Sequence, residues 1–445
     1  MEAVAGKPNL RPAPPPRPTV APRTLPPSSG AGADAAAQRA AGTSPGVNIR
    51  PGSDDDGWIV PSPVALEDGT RLQLYKDGEA LRAAFDAIKH ARRRVCLQSY
   101  IFADDETGRA FADLLIQKVS EHVPVYLIYD SFGSFDVRQL WRPKPVMFER
   151  MRRAGVRMQE FHPVRPWEVR FSWRPVNRDH RKLLVVDDER GGLGGLNVGR
   201  EYAGSWVMAS QREADHDEPP WRDNAVGVVG PGAKHLLAAF KATWSYCARG
   251  GRIRRAEYLY GIQDQPFGLL ASVPTVSSPL RPFLCNLIHD AKKSIEMTMA
   301  YFAPDDQLIN ELIRAAKKRN VRVRLMLPAK SDVTLLIVAA HSFYDRLMDA
   351  GVEIYERQSA VLHAKTICID ECISVIGSTN LDTRSIEYNC ELSAIVRNET
   401  FGKQMHELFE NDVCYAKRID PAMWRARPWR DRVIQWSVSR ARYLL

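Results

Sequence analysis

Two short stretches of the 445-residue chain set a histidine, a lysine and an aspartate at one spacing. His180, Lys182 and Asp187 read H-x-K-x4-D, and His363, Lys365 and Asp370 repeat it. Each is followed by a small pair and an asparagine: Gly194-Gly195 then Asn197, and Gly377-Ser378 then Asn380. The step from His to Asn is 17 residues in both copies. On a β-strand residues two apart share a face, so the His and Lys of each copy point together. The apolar neighbours Leu183, Val185, Ile367 and Ile369 anchor these strands in a core. After Asp187 or Asp370 the chain turns and returns, bringing Asn197, or Ser378 with Asn380, alongside. One imidazole, one ammonium and one amide from each half suit a tetrahedral phosphate, whose oxygens gain charge in the transition state. One histidine must be neutral to attack phosphorus, the other protonated to supply the leaving alkoxide. An imidazole with a pKa near ~6.5 serves in either role if its surroundings bias it. An acid on the next strand is expected to orient each ring: Glu391, 11 residues beyond Asn380, in the second half, and Asp223 in the first. Asp187 and Asp370 belong to the catalytic motif, although holding its turn suits them better than touching substrate. Gly195 where the second copy has Ser378 makes the half-sites non-equivalent.

The doubled pattern resembles the phospholipase D superfamily. Asn380-Leu381-Asp382-Thr383-Arg384-Ser385 with Asn389 and Glu391, and Asn197-Val198-Gly199-Arg200-Glu201-Tyr202, narrow the likeness to the bacterial cardiolipin synthase branch. It runs from about Trp58 to the C-terminus. The resemblance implies an α/β chain of two duplicated phospholipase D-like α/β/α sandwich domains with pseudo-twofold symmetry. It also implies a covalent phosphohistidine intermediate, ping-pong kinetics, and neither metal nor cofactor. His180 is then the nucleophile and His363 the acid and base. The implied reaction moves a phosphatidyl group between two phosphatidylglycerols, giving cardiolipin and glycerol. Two alternatives stay open: hydrolysis or head-group exchange with water or a small alcohol, and metal-independent nuclease action.

The elements that must position these residues are themselves repeated. Ile88–Val95 corresponds to Ile288–Ile295, each a helix end running into a strand. Both strands reach a Phe-Ala step with acids behind it, Phe102-Ala103-Asp104-Asp105 and Phe302-Ala303-Pro304-Asp305-Asp306. Apolar strands at Val123–Tyr129 and Val321–Leu327 follow, then helices closed by Gly155 and Gly351. Alternating helices and strands make an α/β sandwich of each half. The expected division is a disordered Pro/Ala-rich tail over 1–57, a first domain over 58–265, a second over 266–415 and a basic Trp/Arg-rich segment over 416–445. The tail carries no Phe, Trp or Tyr and cannot bury enough apolar surface to offset its ordering entropy. An insert of 13 residues around Pro163–Pro175, with Trp167, Arg170, Phe171, Trp173 and Arg174, precedes the first motif; it suits a substrate mouth or a plain surface loop.

A net charge of +9 predicts attraction to polyanions, and Lys417–Leu445 carries +6 of it among Trp424, Trp429, Trp436 and Tyr443. Trp with Arg suits a lipid headgroup layer; the competing reading packs these tryptophans on the last domain. The expected partners are anionic phospholipids at a membrane surface. No aromatic-basic module of a familiar nucleic-acid binder appears, which argues against nucleic acid. Seven cysteines without a disulfide framework point to a reducing compartment. No apolar run approaches the ~20 residues that span a bilayer, unlike the many cardiolipin synthases with N-terminal membrane helices. The expected place is therefore cytoplasmic, peripheral on the inner face of the cell membrane. The sequence leaves the oligomeric state open.

Overall fold

The computed structural model describes residues 57–135, 144–165, 176–204, 221–250, 259–260, 265–273 and 278–440. The tail before 57 and the aromatic part of the insert, 166–175, lie outside them.

Two mixed sheets carry the duplication. Across the first run Val64–Ala65, Arg71–Lys76, Asn224–Val229, Arg190–Gly194, Leu183–Val186, Val95–Ser99, Val125–Asp130 and Arg157–Phe161. Across the second run Leu259–Tyr260, Phe267–Ala271, Leu392–Arg397, Ile373–Gly377, Lys365–Ile369, Ser294–Met299, Arg322–Pro328, Glu353–Arg357 and Ala416–Arg418. From Arg71–Lys76 and from Phe267–Ala271 onward the order and the parallel or antiparallel sense of each pair agree. Val95–Ser99 is buried at every position, as a strand covered on both faces must be. Arg71–Lys76 alternates between buried and partly exposed side chains.

Helices cover the outer face of each sheet. Ile88, Phe111, Leu115 and Met151 pack on the first, and Leu284, Ile288, Leu312 and Phe343 on the second. A third cluster lies between the sheets. There Leu72, Val185 and Val226 meet Leu269, Ile376 and Val396, with Phe240 and Phe401 from the helices Ala233–Ala248 and Glu399–Val413. The acids behind each Phe-Ala step have a local purpose. Asp105 and Asp305 cap the helices Glu106–Ser120 and Asp306–Arg319, accepting from the amide of Gly108 and from those of Gln307 and Leu308.

The halves are also tied by backbone. Trp221–Arg222 runs parallel to Val361–Leu362, and Asp179 bridges to Cys390. Beside the first tie Arg222 is buried and forms two 2.8 Å bonds with the Asp412 carboxylate. Burial pushes the Asp412 carboxyl up, but Arg222 outweighs it and holds it below the aspartate range. The stability this pair supplies is therefore complete above the ordinary aspartate pKa and is lost as pH falls through the lowered value. Asp412→Ala takes the principal counter-charge from a buried guanidinium and should destabilise the chain by roughly 3–5 kcal/mol. Denaturant unfolding at neutral pH measures it, and a loss below about 1 kcal/mol would mean that the ion pair is not holding the halves together.

Candidate active site

The two H-x-K segments enter the seam between the sheets. His180 and Lys182 stand just before Leu183–Val186, and Lys365 opens Lys365–Ile369. All four side chains are buried. Each histidine is held at two points by a dipeptide of the other half. The His180 amide donates to the Cys390 carbonyl at 3.0 Å, and its Nδ1 meets Glu391 Oε2 at 3.1 Å. The His363 amide donates to the Arg222 carbonyl at 2.8 Å, and its Nδ1 meets Asp223 Oδ2 at 2.6 Å. The acids are thus exchanged relative to the sequence expectation, in which each half supplied its own. A carboxylate on Nδ1 fixes the tautomer that leaves the Nε2 lone pair outward. Among the described residues neither Nε2 has a hydrogen-bond partner.

The lysines cap their own histidines from behind. Lys182 Nζ donates to the His180 carbonyl at 2.6 Å, and Lys365 donates to the His363 carbonyl. Burial, then the neighbouring Lys365 charge, pushes the Lys182 ammonium down to about 7. Burial pushes Lys365 down to about 8, against the pull of Asp223 and Glu391. His180 is lowered by burial and then by Lys182. His363 falls well below the usual imidazole range, through burial and then the charges of Lys365, Lys182 and His180. The His180 ring reaches Ser378 and Glu391 of the second half and the His363 ring reaches Asp223 of the first, so the two H-x-K segments meet across one seam. Burial raises the Asp223 carboxyl to about 6, whereas His180 and Lys182 overcome burial at Glu391 and hold it below the carboxylate range.

The remaining motif residues divide. Asp187 and Asp370 sit at the far ends of their strands, away from the imidazoles. The Asp187 carboxylate accepts the amides of Arg92, Arg93 and Arg94, and Asp370 those of Lys292, Lys293 and Ser294. Both occupy the left-handed region, φ 55° and 54°, where their hairpins turn. Both act here as turn and strand anchors. The Asn197 side chain is spent within the protein, accepting from the Ile101 amide at 3.1 Å and donating to the Tyr202 hydroxyl at 2.7 Å. The Asn380 side-chain oxygen is buried with no partner among the described residues. Ser378 donates its hydroxyl to Glu391 and accepts from the Leu392 amide at 3.1 Å. Gly195 has no side chain because Asp223 fills that place: a Cβ there would lie 2.1 Å from Asp223 Oδ1.

Aromatic rings complete the walls, and motif spacing did not reveal them. Tyr100 meets the His180 ring edge-on at 5.2 Å, and Trp221 and Tyr202 flank His363 at 5.1 and 5.5 Å. Lys182 stands 5.3 Å over Tyr100 and Lys365 6.0 Å over Tyr301. The available signal was a tyrosine just before each Phe-Ala step. The buried Asp130 also escaped notice; it accepts the Asp179 amide at 2.9 Å and pairs with Arg178, fixing the approach to His180.

Two His-x-Lys pairs meeting at the seam of a duplicated α/β sandwich define a phospholipase D-type protein. The family described as "Cardiolipin synthase, PLD-like domain" matches residues 284–413. Cardiolipin synthase of Geobacillus thermodenitrificans (strain NG80-2) is 32% identical over 389 residues, 86% of this chain and 73% of that protein. Cardiolipin synthase A of Pseudomonas entomophila (strain L48) is 33% identical over 357 residues, 78% and 69% of the two chains. The chain belongs to the cardiolipin synthase family. The fold is shared with phosphatidylserine synthase of Haemophilus influenzae Rd KW20 at a TM-score of 0.59 and 13% identity, over 86% of this chain and 97% of that one. It is also shared with polyphosphate kinase of Porphyromonas gingivalis, at 0.53 and 14%, over 82% and 52%.

Lysines lowered by burial, with the Lys365 charge adding to it at Lys182, regain their protons when an anion sits between them. Binding of a non-titrating anion such as sulfate should therefore take up protons near pH 8 and weaken by roughly tenfold or more between about pH 6 and pH 9. Calorimetry in buffers of different ionisation enthalpy reads both effects. An affinity constant across that range would mean both ammonium groups stay charged in the empty site.

Proposed function

We propose that this chain is a phosphatidyltransferase that makes cardiolipin from two phosphatidylglycerols, with water as a competing acceptor. The observation that carries the reading is the pair of buried imidazoles, each with Nδ1 on a carboxylate and Nε2 unpartnered, beside two lysines. His180 Nε2 attacks the phosphorus of phosphatidylglycerol. The bond to the glycerol oxygen breaks as His363 Nε2–H gives that oxygen its proton. The phosphatidyl group is then on His180, and His363 is neutral. A hydroxyl of a second phosphatidylglycerol loses its proton to His363 and attacks phosphorus, which frees His180 and forms cardiolipin. Lys182 and Lys365 neutralise the non-bridging oxygens throughout, and the unpartnered Asn380 oxygen is free to accept from a head-group hydroxyl. Glu391, held ionised, supports the positive charge that forms on the phosphorylated ring.

The site works on lipid at a membrane face. Among the described residues no helix is long and apolar enough to cross a membrane. The C-terminal helix Trp429–Arg440 instead offers an interfacial surface. Trp429 and Trp436 are 69% and 60% exposed, beside exposed Val433 and Ile434, with Arg430 and Arg440 lying over the two rings. Its inner side is anchored: Val438 packs with Leu336 and Ala339 next to Tyr301. Trp424 follows the other expectation and packs on Tyr344 and His341. The face addressed is the cytoplasmic one, in keeping with seven unpaired cysteines.

Purified protein given phosphatidylglycerol vesicles should release glycerol and form cardiolipin. Glycerol with phosphatidic acid and no cardiolipin would assign hydrolysis, and no product at all would end the lipid reading. His180→Ala and His363→Ala should each lower turnover by several orders of magnitude, and label from the lipid phosphate, quenched in denaturing detergent at alkaline pH, should stay on wild type and be absent from His180→Ala. Trp429→Ala with Trp436→Ala should weaken cosedimentation with anionic vesicles by roughly tenfold or more. Unchanged cosedimentation would remove the helix from the membrane contact.

A further inference from the structure

The two halves differ on the outer face of their sheets. In the second half the helix Leu280–Asp290 sends Leu280, Leu284 and Leu287 into the core, with Phe283 packed against it. The repeat pairs Ile88 with Ile288, and in that register the first half has Ala80, Ala84, Ala87 and Ala83 at those positions. The strands beneath show the same substitution. Val375 faces Ile395 in the second sheet, both buried; Gly192 faces Gly227 at the matching place in the first. Six apolar side chains that fill one half are thus missing from the other.

The consequence is a groove of about 420 Å³ between the helix Glu79–Lys89 and the first sheet. Ala84, Ala87, Gly192 and Gly227 line its length, and Lys182 lines one end. The opposite end is marked by Arg190 and Val229, and Arg190 pairs with Val186 in register. From Lys182 to Val186 is four strand steps, or about 13 Å at ~3.3 Å per residue. Its volume falls in the ~300–1,000 Å³ range of ligand sites.

We infer that this groove holds one acyl chain of the phospholipid whose phosphate lies beside Lys182. The inference rests on the lipid reading above and adds where a tail is placed. An anionic head joined to a long apolar tail matches a slot with buried Lys182 at the site end and alanine and glycine walls along its length, Arg190 standing at its far mouth. A polar or short ligand would leave the alanine and glycine walls unmatched. Among the described residues the second half fills the equivalent place with Leu284, Leu287, Val375 and Ile395, so only one of the two lipids in the reaction is gripped this way, the other presenting its hydroxyl from the opposite side.

The test uses phosphatidylglycerol with a diazirine at the end of one acyl chain, photolysed in vesicles with the full chain carrying His363→Ala. Label should map to the peptides containing Ala80–Ala87 and Gly191–Gly194; label confined to other peptides overturns the inference. Ala84→Leu with Ala87→Leu restores the residues of the other half and should move the label out of the groove. In an otherwise wild-type chain the same pair should lower the ratio of kcat/KM for long-chain over dihexanoyl phosphatidylglycerol by tenfold or more. An unchanged ratio overturns the inference, including when both activities fall together. Labelling needs no turnover, so the two readings fail separately. Cardiolipin formation with label elsewhere removes the groove alone, whereas groove labelling in a wild-type chain that makes no cardiolipin removes the transferase reading and keeps the lipid-tail site.

Discussion

Everything at the site depends on the exchange of carboxylates across the seam. Arg222-Asp223 grips His363 with one carbonyl and one carboxylate, and Cys390-Glu391 grips His180 in the same way. Backbone and ring are fixed together, so Nε2 has a set direction without any partner of its own. Half of the molecule would have a histidine without its acid and an acid without its histidine. Duplication here produces one site, not two.

That arrangement sets the electrostatics. Four basic groups share a buried space with two carboxylates as their nearest counter-charges. Burial disfavours each charge and brings Lys365 down to about 8 despite the nearby carboxylates, while at Lys182 the Lys365 charge adds to burial and brings it down to about 7. An anion entering this space reverses both effects. The cost of assembling the cations is met by the folding of two large cores, so it need not be met again when charge builds on phosphorus. The aromatic rings around the histidines contribute by excluding water without offering a competing charge.

Much of this was legible in the chain. The doubled spacing of His180 and His363, the paired Phe-Ala steps and the helices closed by glycine all reappear as matched strands and helices, because periodicity and caps are local properties. The exchange of Glu391 and Asp223 was not legible. A carboxylate at the right distance along the chain can serve either imidazole, and only packing of the two sheets decides which. His180 and Glu391 are 211 positions apart and His363 and Asp223 are 140 apart, beyond the reach of any spacing rule. Asp187 and Asp370 share the histidines' spacing yet bond only backbone amides, since a hairpin turn repeated in both halves needs the same residue as strictly as chemistry does. Trp424, Trp429 and Trp436 look alike in sequence, and only tertiary packing separates the one that Tyr344 covers from the two left at the surface.

A symmetric frame raises a difficulty that the side chains resolve. Under the proposed reaction one imidazole gains positive charge on phosphorylation while the other begins charged and gives its proton away. Identical surroundings would favour both roles equally at both rings. The second half places Ser378 and Asn389 on Glu391, and with the His180 ring these keep its carboxyl ionised. The first half replaces that serine by Gly195, so that Asp223 has no hydroxyl on it, and burial pushes its carboxyl up to about 6. A cation on His180 is therefore supported more strongly than one on His363. Strong support suits the ring that must carry the phosphoryl group, and weak support makes the other ring a readier proton donor once the bound phosphate has charged it. The departure of Gly195 from its partner is thus the place where a duplicated backbone acquires a direction.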